Sequence, residues 1–169
     1  MVDREVDAVQ FASIGLNSNV NRGERTRIKL MAMLLTRKAE FSASHICANP
    51  ALSGEENARI YGAAANPNGH GHNYVVEVTV EGEADPVTGM VFDLRELKEI
   101  LNCEVIEPMD HRFLNREVPP FDRIVPTTEN VAIEIWRRLC RRIARANARL
   151  KNVRLYETPD LYVDYGGES

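Results

Sequence analysis

Hydrophobic and polar positions change rhythm several times along this chain, and each rhythm predicts an element. Leu34 to Ser44 reads as a strand that ends at His45, and Tyr74 to Gly82 alternates Val with Glu and Thr as a second strand. Asp85-Pro86-Val87-Thr88-Gly89 is a hairpin turn signal, so Met90 to Phe92 is expected to return as a short strand beside the second. Asp93 can then cap a helix, with Glu96 three residues on and Leu94, Leu97 and Leu101 along one face, ending before Pro108. A second helix is predicted from Pro126-Thr127-Thr128-Glu129-Asn130, with an apolar stripe of Val131, Ile135, Leu139, Ile143 and Leu150. Val153 to Glu157 and Leu161 to Tyr165 close the pattern as two strands turning at Thr158-Pro159-Asp160. The order predicts an α+β domain: an antiparallel four-stranded sheet with two helices on one face.

Two stretches break the rhythm. The first 30 residues mix charges with Asn and Gly and sustain no period, so residues 1–33 are expected to be a disordered extension, or sequence upstream of a start at Met31 or Met33. Their acids Asp3, Glu5 and Asp7 do not fit a signal or transit peptide. The domain proper is then 34–169. Ile46 to Asn68, rich in Ala, Asn, Pro and Gly, is long for a connection inside a compact domain, and such connections are usually functional.

Composition narrows the class without deciding it. The 169 residues suit one globular domain, with 44% hydrophobic and 27% charged side chains. A formal charge of -4 gives no electrostatic case for nucleic acid, and no apolar run approaches the length of a membrane span. Cys47, Cys103 and Cys140 form neither a CxxC pair nor an even framework, which points to a reduced, cytoplasmic setting. Arg137, Arg138, Arg141, Arg142, Arg145, Arg149 and Lys151 form a basic cluster that reads as a solvated face complementing the helix dipole.

The chemistry gathers at four histidines, in Phe41-Ser-Ala-Ser-His45, Gly69-His70-Gly-His72-Asn73-Tyr74 and Met109-Asp110-His111. On a strand His70 and His72 point to the same face. With His45 on a neighbouring strand they would make a three-nitrogen site for zinc whose fourth position stays open, as catalytic zinc sites require. Asp110 beside His111 reads as a proton relay or as a plain turn residue.

Taken together with Asn66-Pro-Asn-Gly, Gly89-Met-Val-Phe-Asp93, Leu114-Asn115, Pro126-Thr-Thr-Glu-Asn130 and Tyr156-Glu157-Thr158, these motifs resemble the 6-pyruvoyltetrahydropterin synthases and the related 6-carboxytetrahydropterin synthases, in order over about 130 residues. The resemblance implies the tunnelling fold, in which strands of three subunits close a barrel and two trimers stack into a homohexamer. It implies 7,8-dihydroneopterin triphosphate as substrate, zinc on His45, His70 and His72, and Glu157 as the anchor of the pterin ring. Asp110 and His111 would form the relay. Thr127, Thr128 and Glu129 would join the same pocket, the Thr hydroxyls serving either the helix cap or the ligand. The Asn66-Pro67-Asn68-Gly69 lead-in leans toward the pyruvoyl branch, which feeds tetrahydrobiopterin, over the carboxy branch, which feeds deazapurine and queuosine synthesis.

The family's general base is a cysteine a few residues before the His-x-His pair. Here that segment is Tyr61-Gly62-Ala63-Ala64-Ala65-Asn66, with Ala64 at the matching position. Three accounts stay open: a lyase whose base has moved, with Cys47 as the candidate; an altered reaction such as side-chain cleavage through His111 or a zinc-bound hydroxide; or a non-enzyme, either a pterin or zinc binding protein or a catalytically weakened subunit in a mixed hexamer.

Overall fold

The computed structural model describes residues 32–167. The expected extension therefore lies outside the described residues as far as residue 31, and Met33 already belongs to a strand. Strand β1 (Met33–His45) runs antiparallel to β2 (His70–Gly82) over its whole length, from Met33 opposite Gly82 to His45 opposite His70. β4 (Ala148–Thr158) pairs with β2, and β5 (Leu161–Tyr165) pairs with β4, both antiparallel. The two final strands are as predicted, the first of them starting earlier.

The sheet is mixed and five-stranded rather than four-stranded and antiparallel. β3 (Arg112–Phe113) adds a two-residue parallel edge beside Ala43 and Ser44, giving the order β3-β1-β2-β4-β5. Two residues are too few to carry a period, so no pattern in the chain announces them. The return strand expected over Met90 to Phe92 does not form. The turn itself is present, Asp85 accepting from the N–H groups of Val87 and Thr88, but residues 89–92 leave it as irregular chain leading to the Asp93 cap.

One face of the sheet is buried. Phe41, Tyr74, Val76, Val78, Val153 and Leu155 pack against the helices α2 (Leu94–Leu101) and α5 (Thr128–Ile143) through Leu97, Leu101, Ile135 and Leu139. Capping follows the sequence: Asp93 accepts from the Arg95 N–H at 2.8 Å, and Thr127 Oγ1 accepts from the Asn130 N–H at 3.4 Å. α5 stops at Ile143, so Leu150 belongs to β4 instead of the helical stripe.

The first of these helices does not stop before Pro108. It widens into a π segment (Asn102–Ile106) and ends in α3 (Glu107–Met109), with the proline in that last turn. Proline leaves the Glu104 carbonyl without its helical donor. Arg138 of α5 supplies one at 3.4 Å and also donates to the Pro119 carbonyl at 2.9 Å, tying the helix end to the following loop. A single turn, α4 (Leu114–Glu117), follows β3. The long connection also carries more structure than its composition implied. Ser53 and Glu56 form a capping box that starts α1 (Gly54–Tyr61), followed by a 3₁₀ turn over Gly62–Ala65.

The basic cluster is an ion-paired face. Arg137 and Arg138 hold Glu134 at 2.8 Å each, Arg142 pairs with Glu104, Arg145 with Glu96, and Arg149 and Lys151 with Glu81. Among the described residues no helix is long and apolar enough to cross a membrane.

Candidate metal centre and pterin pocket

Register places the histidines. His45 ends β1 directly opposite His70, the first residue of β2, and His72 stands opposite Ala43, so all three imidazoles share the buried face. Their ring centroids lie 4.4, 5.0 and 5.2 Å apart, and one ligand nitrogen from each lies within 4.8 Å of the others.

Their hydrogen-bonding state identifies the nitrogens. His45 is fully buried, and its Nδ1 lies 2.7 Å from the carbonyl oxygen of Pro126. A carbonyl only accepts, so Nδ1 carries the proton and Nε2 keeps a free lone pair. His70 Nδ1 and His72 Nε2 are buried without a hydrogen-bond partner. Buried polar atoms are almost always paired, so two orphaned imidazole nitrogens facing a third fit a cation of borderline softness such as zinc. Burial disfavours the charged imidazole and holds His45 and His72 below the ordinary histidine value, His70 adding repulsion to both. Neutral imidazole is the ligating form.

Glu157, on β4, brings its Oε1 to 3.5 Å from His45 Nε2 and 3.4 Å from His72 Nε2. Tyr74, whose phenol lies 3.5 Å from His45 Nε2, fills the floor beneath. Tyr74 follows the His-x-His pair in the chain, where nothing in the sequence signals its place beside His45. The Pro126 carbonyl was also missed, since a backbone acceptor leaves no side-chain signature.

The other predicted residues divide into two groups. Cys47 is buried close to this centre, where burial and the carboxylates of Glu157 and Glu129 push its thiol up to about 11. Its N–H donates to the Ala64 carbonyl at 2.9 Å, so the cysteine and the alanine are neighbours in space. Thr127 is committed to the helix cap, Thr128 is buried at the start of α5, and Glu129 stands exposed in its first turn.

Asp110 and His111 form a pair of their own. His111 Nδ1 lies 2.8 Å from Asp110 Oδ2, and Asp110 Oδ1 accepts from the Ser42 N–H at 2.8 Å. The Ser42 N–H and His111 hold the carboxyl below the usual carboxylate range. The His111 side chain is 82% exposed and borders a cavity of about 520 Å³ also lined by Ser42, Ser44, Gly71, His72 and Asn73. Ser42 and Ser44 alternate with Phe41, Ala43 and His45, so their side chains project from the opposite face of the sheet.

Sheet, helices and centre together define an α+β protein with three histidines that could hold a metal ion, flanked by a half-buried carboxylate. Residues 34–168 match the 6-pyruvoyl tetrahydropterin synthase family model, and the chain belongs to that family. It is 47% identical over 134 residues to the 6-pyruvoyl tetrahydrobiopterin synthase of Pongo abelii, covering 79% of this chain and 91% of that protein. The Homo sapiens protein of the same name is 46% identical with the same coverage. The solved structure of Caenorhabditis elegans 6-pyruvoyl tetrahydropterin synthase matches with a TM-score of 0.78 at 38% identity, covering 82% of this chain and 98% of that one. The fold is that of one tunnelling-fold subunit.

Proposed function

We propose that this chain is a zinc-dependent lyase that eliminates triphosphate from 7,8-dihydroneopterin triphosphate to form 6-pyruvoyltetrahydropterin. One observation carries the reading: three converging imidazoles, two with buried unpartnered nitrogens, beside the Glu157 carboxylate, in a chain of this family. Zinc held by His45, His70 and His72 would act as a Lewis acid on the side-chain hydroxyls of the substrate and acidify the neighbouring carbon-bound proton.

The chain's own groups do the rest. Pro126 fixes the tautomer of His45. Glu157 accepts two parallel N–H bonds from the amino-pyrimidinone edge of the pterin. Thr128 and Glu129 border the ring. Asp110 keeps the proton of His111 on Nδ1, leaving Nε2 to take or give a proton. Because the His111 ring is largely exposed, beside a cavity that Ser42 and Ser44 also line, it serves a site completed by another copy of the chain. That arrangement fits a homohexamer of two stacked trimers, in which the outer edges β3 and β5 pair with neighbours. A cytoplasmic setting suits the three free cysteines.

Cys47 is the candidate base, lying against Ala64 where relatives are expected to carry the reactive cysteine. A second reading, a pterin and zinc binding protein without turnover, is favoured by Ala64 and by the raised Cys47 thiol, which is a poor base as it stands. Side-chain cleavage driven by His111 is the third. Zinc-loaded chain incubated with 7,8-dihydroneopterin triphosphate should release inorganic triphosphate. Release should stop on chelation and return with zinc; a zinc-loaded chain that releases none contradicts the lyase assignment.

A further inference from the structure

We propose that Asn115 is a positioning residue for the metal centre, holding His45 and Cys47 in place through the backbone of the residue between them. The inference rests on the reading that His45, His70 and His72 hold zinc. Asn115 Oδ1 accepts from the Ile46 N–H at 2.8 Å, and Asn115 Nδ2 donates to the Ile46 carbonyl at 3.0 Å. A carboxamide has the donor and acceptor of a peptide unit, so it can take a strand's place in a ladder.

The topology shows whose place it takes. β3 pairs with β1 only at Ala43 opposite Arg112 and Ser44 opposite Phe113, because the chain then turns into α4 at Leu114. The next backbone groups of the β1 edge would be left without a strand partner. Asn115, inside that turn, reaches back and supplies the missing rung at Ile46.

Those two bonds fall on particular peptide planes. The Ile46 N–H belongs to the peptide leaving His45, and the Ile46 carbonyl belongs to the peptide entering Cys47. The latter is held again where the Cys47 N–H meets the Ala64 carbonyl. His45 is gripped at its ring by Pro126 and at its exit by Asn115, which fixes where its Nε2 points. A ligand whose support is loosened keeps its fold and loses metal affinity, typically 10- to 100-fold for groups supporting metal ligands.

The experiment compares Asn115→Leu, Asn115→Asp and Asn57→Ala with the parent full-length chain. Asn57 is the control: its amide ties Asn49, Leu52 and Ser53 in the same connection without touching Ile46 or the histidines. Zinc affinity is read by competition with a chelating dye, and the ligand field by the visible absorption of the Co²⁺-loaded chain. Asn115→Leu should bind zinc about tenfold more weakly with a changed Co²⁺ spectrum. Asn115→Asp, which keeps the acceptor for the Ile46 N–H, should fall between, at roughly threefold. Asn57→Ala should match the parent in both readouts even if its melting temperature drops. Should Asn115→Leu fail to fold, the Asp variant carries the test. Parent-like affinity and spectrum in the Asn115 variants, or an equal loss in Asn57→Ala, would overturn the positioning role while leaving the zinc site standing. A parent chain that takes up no zinc overturns both.

Discussion

Gly69 and Gly89 test how tightly the metal centre is built, because the two glycines share a backbone conformation and differ in surroundings. Gly69 has φ +73° and Gly89 φ +71°, the left-handed region where an L side chain costs about 1–2 kcal/mol. Alanine recovers part of that, roughly 0.4–1 kcal/mol, by restricting the unfolded chain. Gly89→Ala meets nothing within 4 Å, so its net cost is about 1 kcal/mol. At Gly69 the new Cβ would lie 3.2 Å from the His45 carbonyl oxygen and 3.3 Å from the Phe113 ring. Neither neighbour yields freely: the carbonyl belongs to the paired end of β1, and Phe113 sits in β3. Such crowding adds about 1–2 kcal/mol, giving about 2.5 kcal/mol in all. With an unfolding entropy of about 2.1 cal/mol/K per residue over the described domain, Gly89→Ala should lower the melting temperature by about 3 °C and Gly69→Ala by about 9 °C. Thermal unfolding followed by circular dichroism, with urea titration as a check, measures both. Because the displaced carbonyl is that of His45, Gly69→Ala should also weaken zinc uptake several-fold, and Gly89→Ala should leave it unchanged. Equal destabilisation of the two variants would refute the claim that the Gly69 backbone is packed against the ligand strand.

Saturating zinc at 100 times its Kd should stabilise the chain by about 2.7 kcal/mol, close to 9 °C in melting temperature, and His70→Ala should abolish that gain. In the metal-free chain, burial lowers the His45 and His72 pKa values, so the unfolded chain binds more protons just below pH 6.5. Stability should be full above pH 6.5 and fall as pH drops toward the depressed folded values, by up to about 2.7 kcal/mol per pH unit for the pair. Urea midpoints that match at pH 7.5 and pH 5.5 would contradict this. Glu157→Gln should weaken pterin binding sharply in isothermal titration, since one of its two acceptor oxygens becomes a donor; unchanged affinity would remove the ring-anchor role.

Much of the site was legible because strand alternation is a strict rule. His70 and His72 had to share a face, and an antiparallel neighbour ending at His45 had to bring the third ring to them. The Thr127 cap and the final hairpin were also local signals. What escaped depends on groups distant in the chain. The helix passes through Pro108, and Arg138, thirty residues on, donates to the Glu104 carbonyl that the proline leaves without its helical donor. β3 exists because two residues happen to lie beside Ala43 and Ser44. The exposure of His111 was equally hidden, since adjacency to Asp110 says nothing about how deeply the pair is buried.

The central claim is that the pocket still eliminates triphosphate although Ala64 stands where the family's base is expected. Mass spectrometry of the pterin product formed by the zinc-loaded parent chain, run beside Cys47→Ser and Ala64→Cys, tests it most directly. The parent should form 6-pyruvoyltetrahydropterin, and Cys47→Ser should lose it. Unaltered substrate from the parent, with product appearing only in Ala64→Cys, would contradict it and leave a binding protein that has kept its pocket.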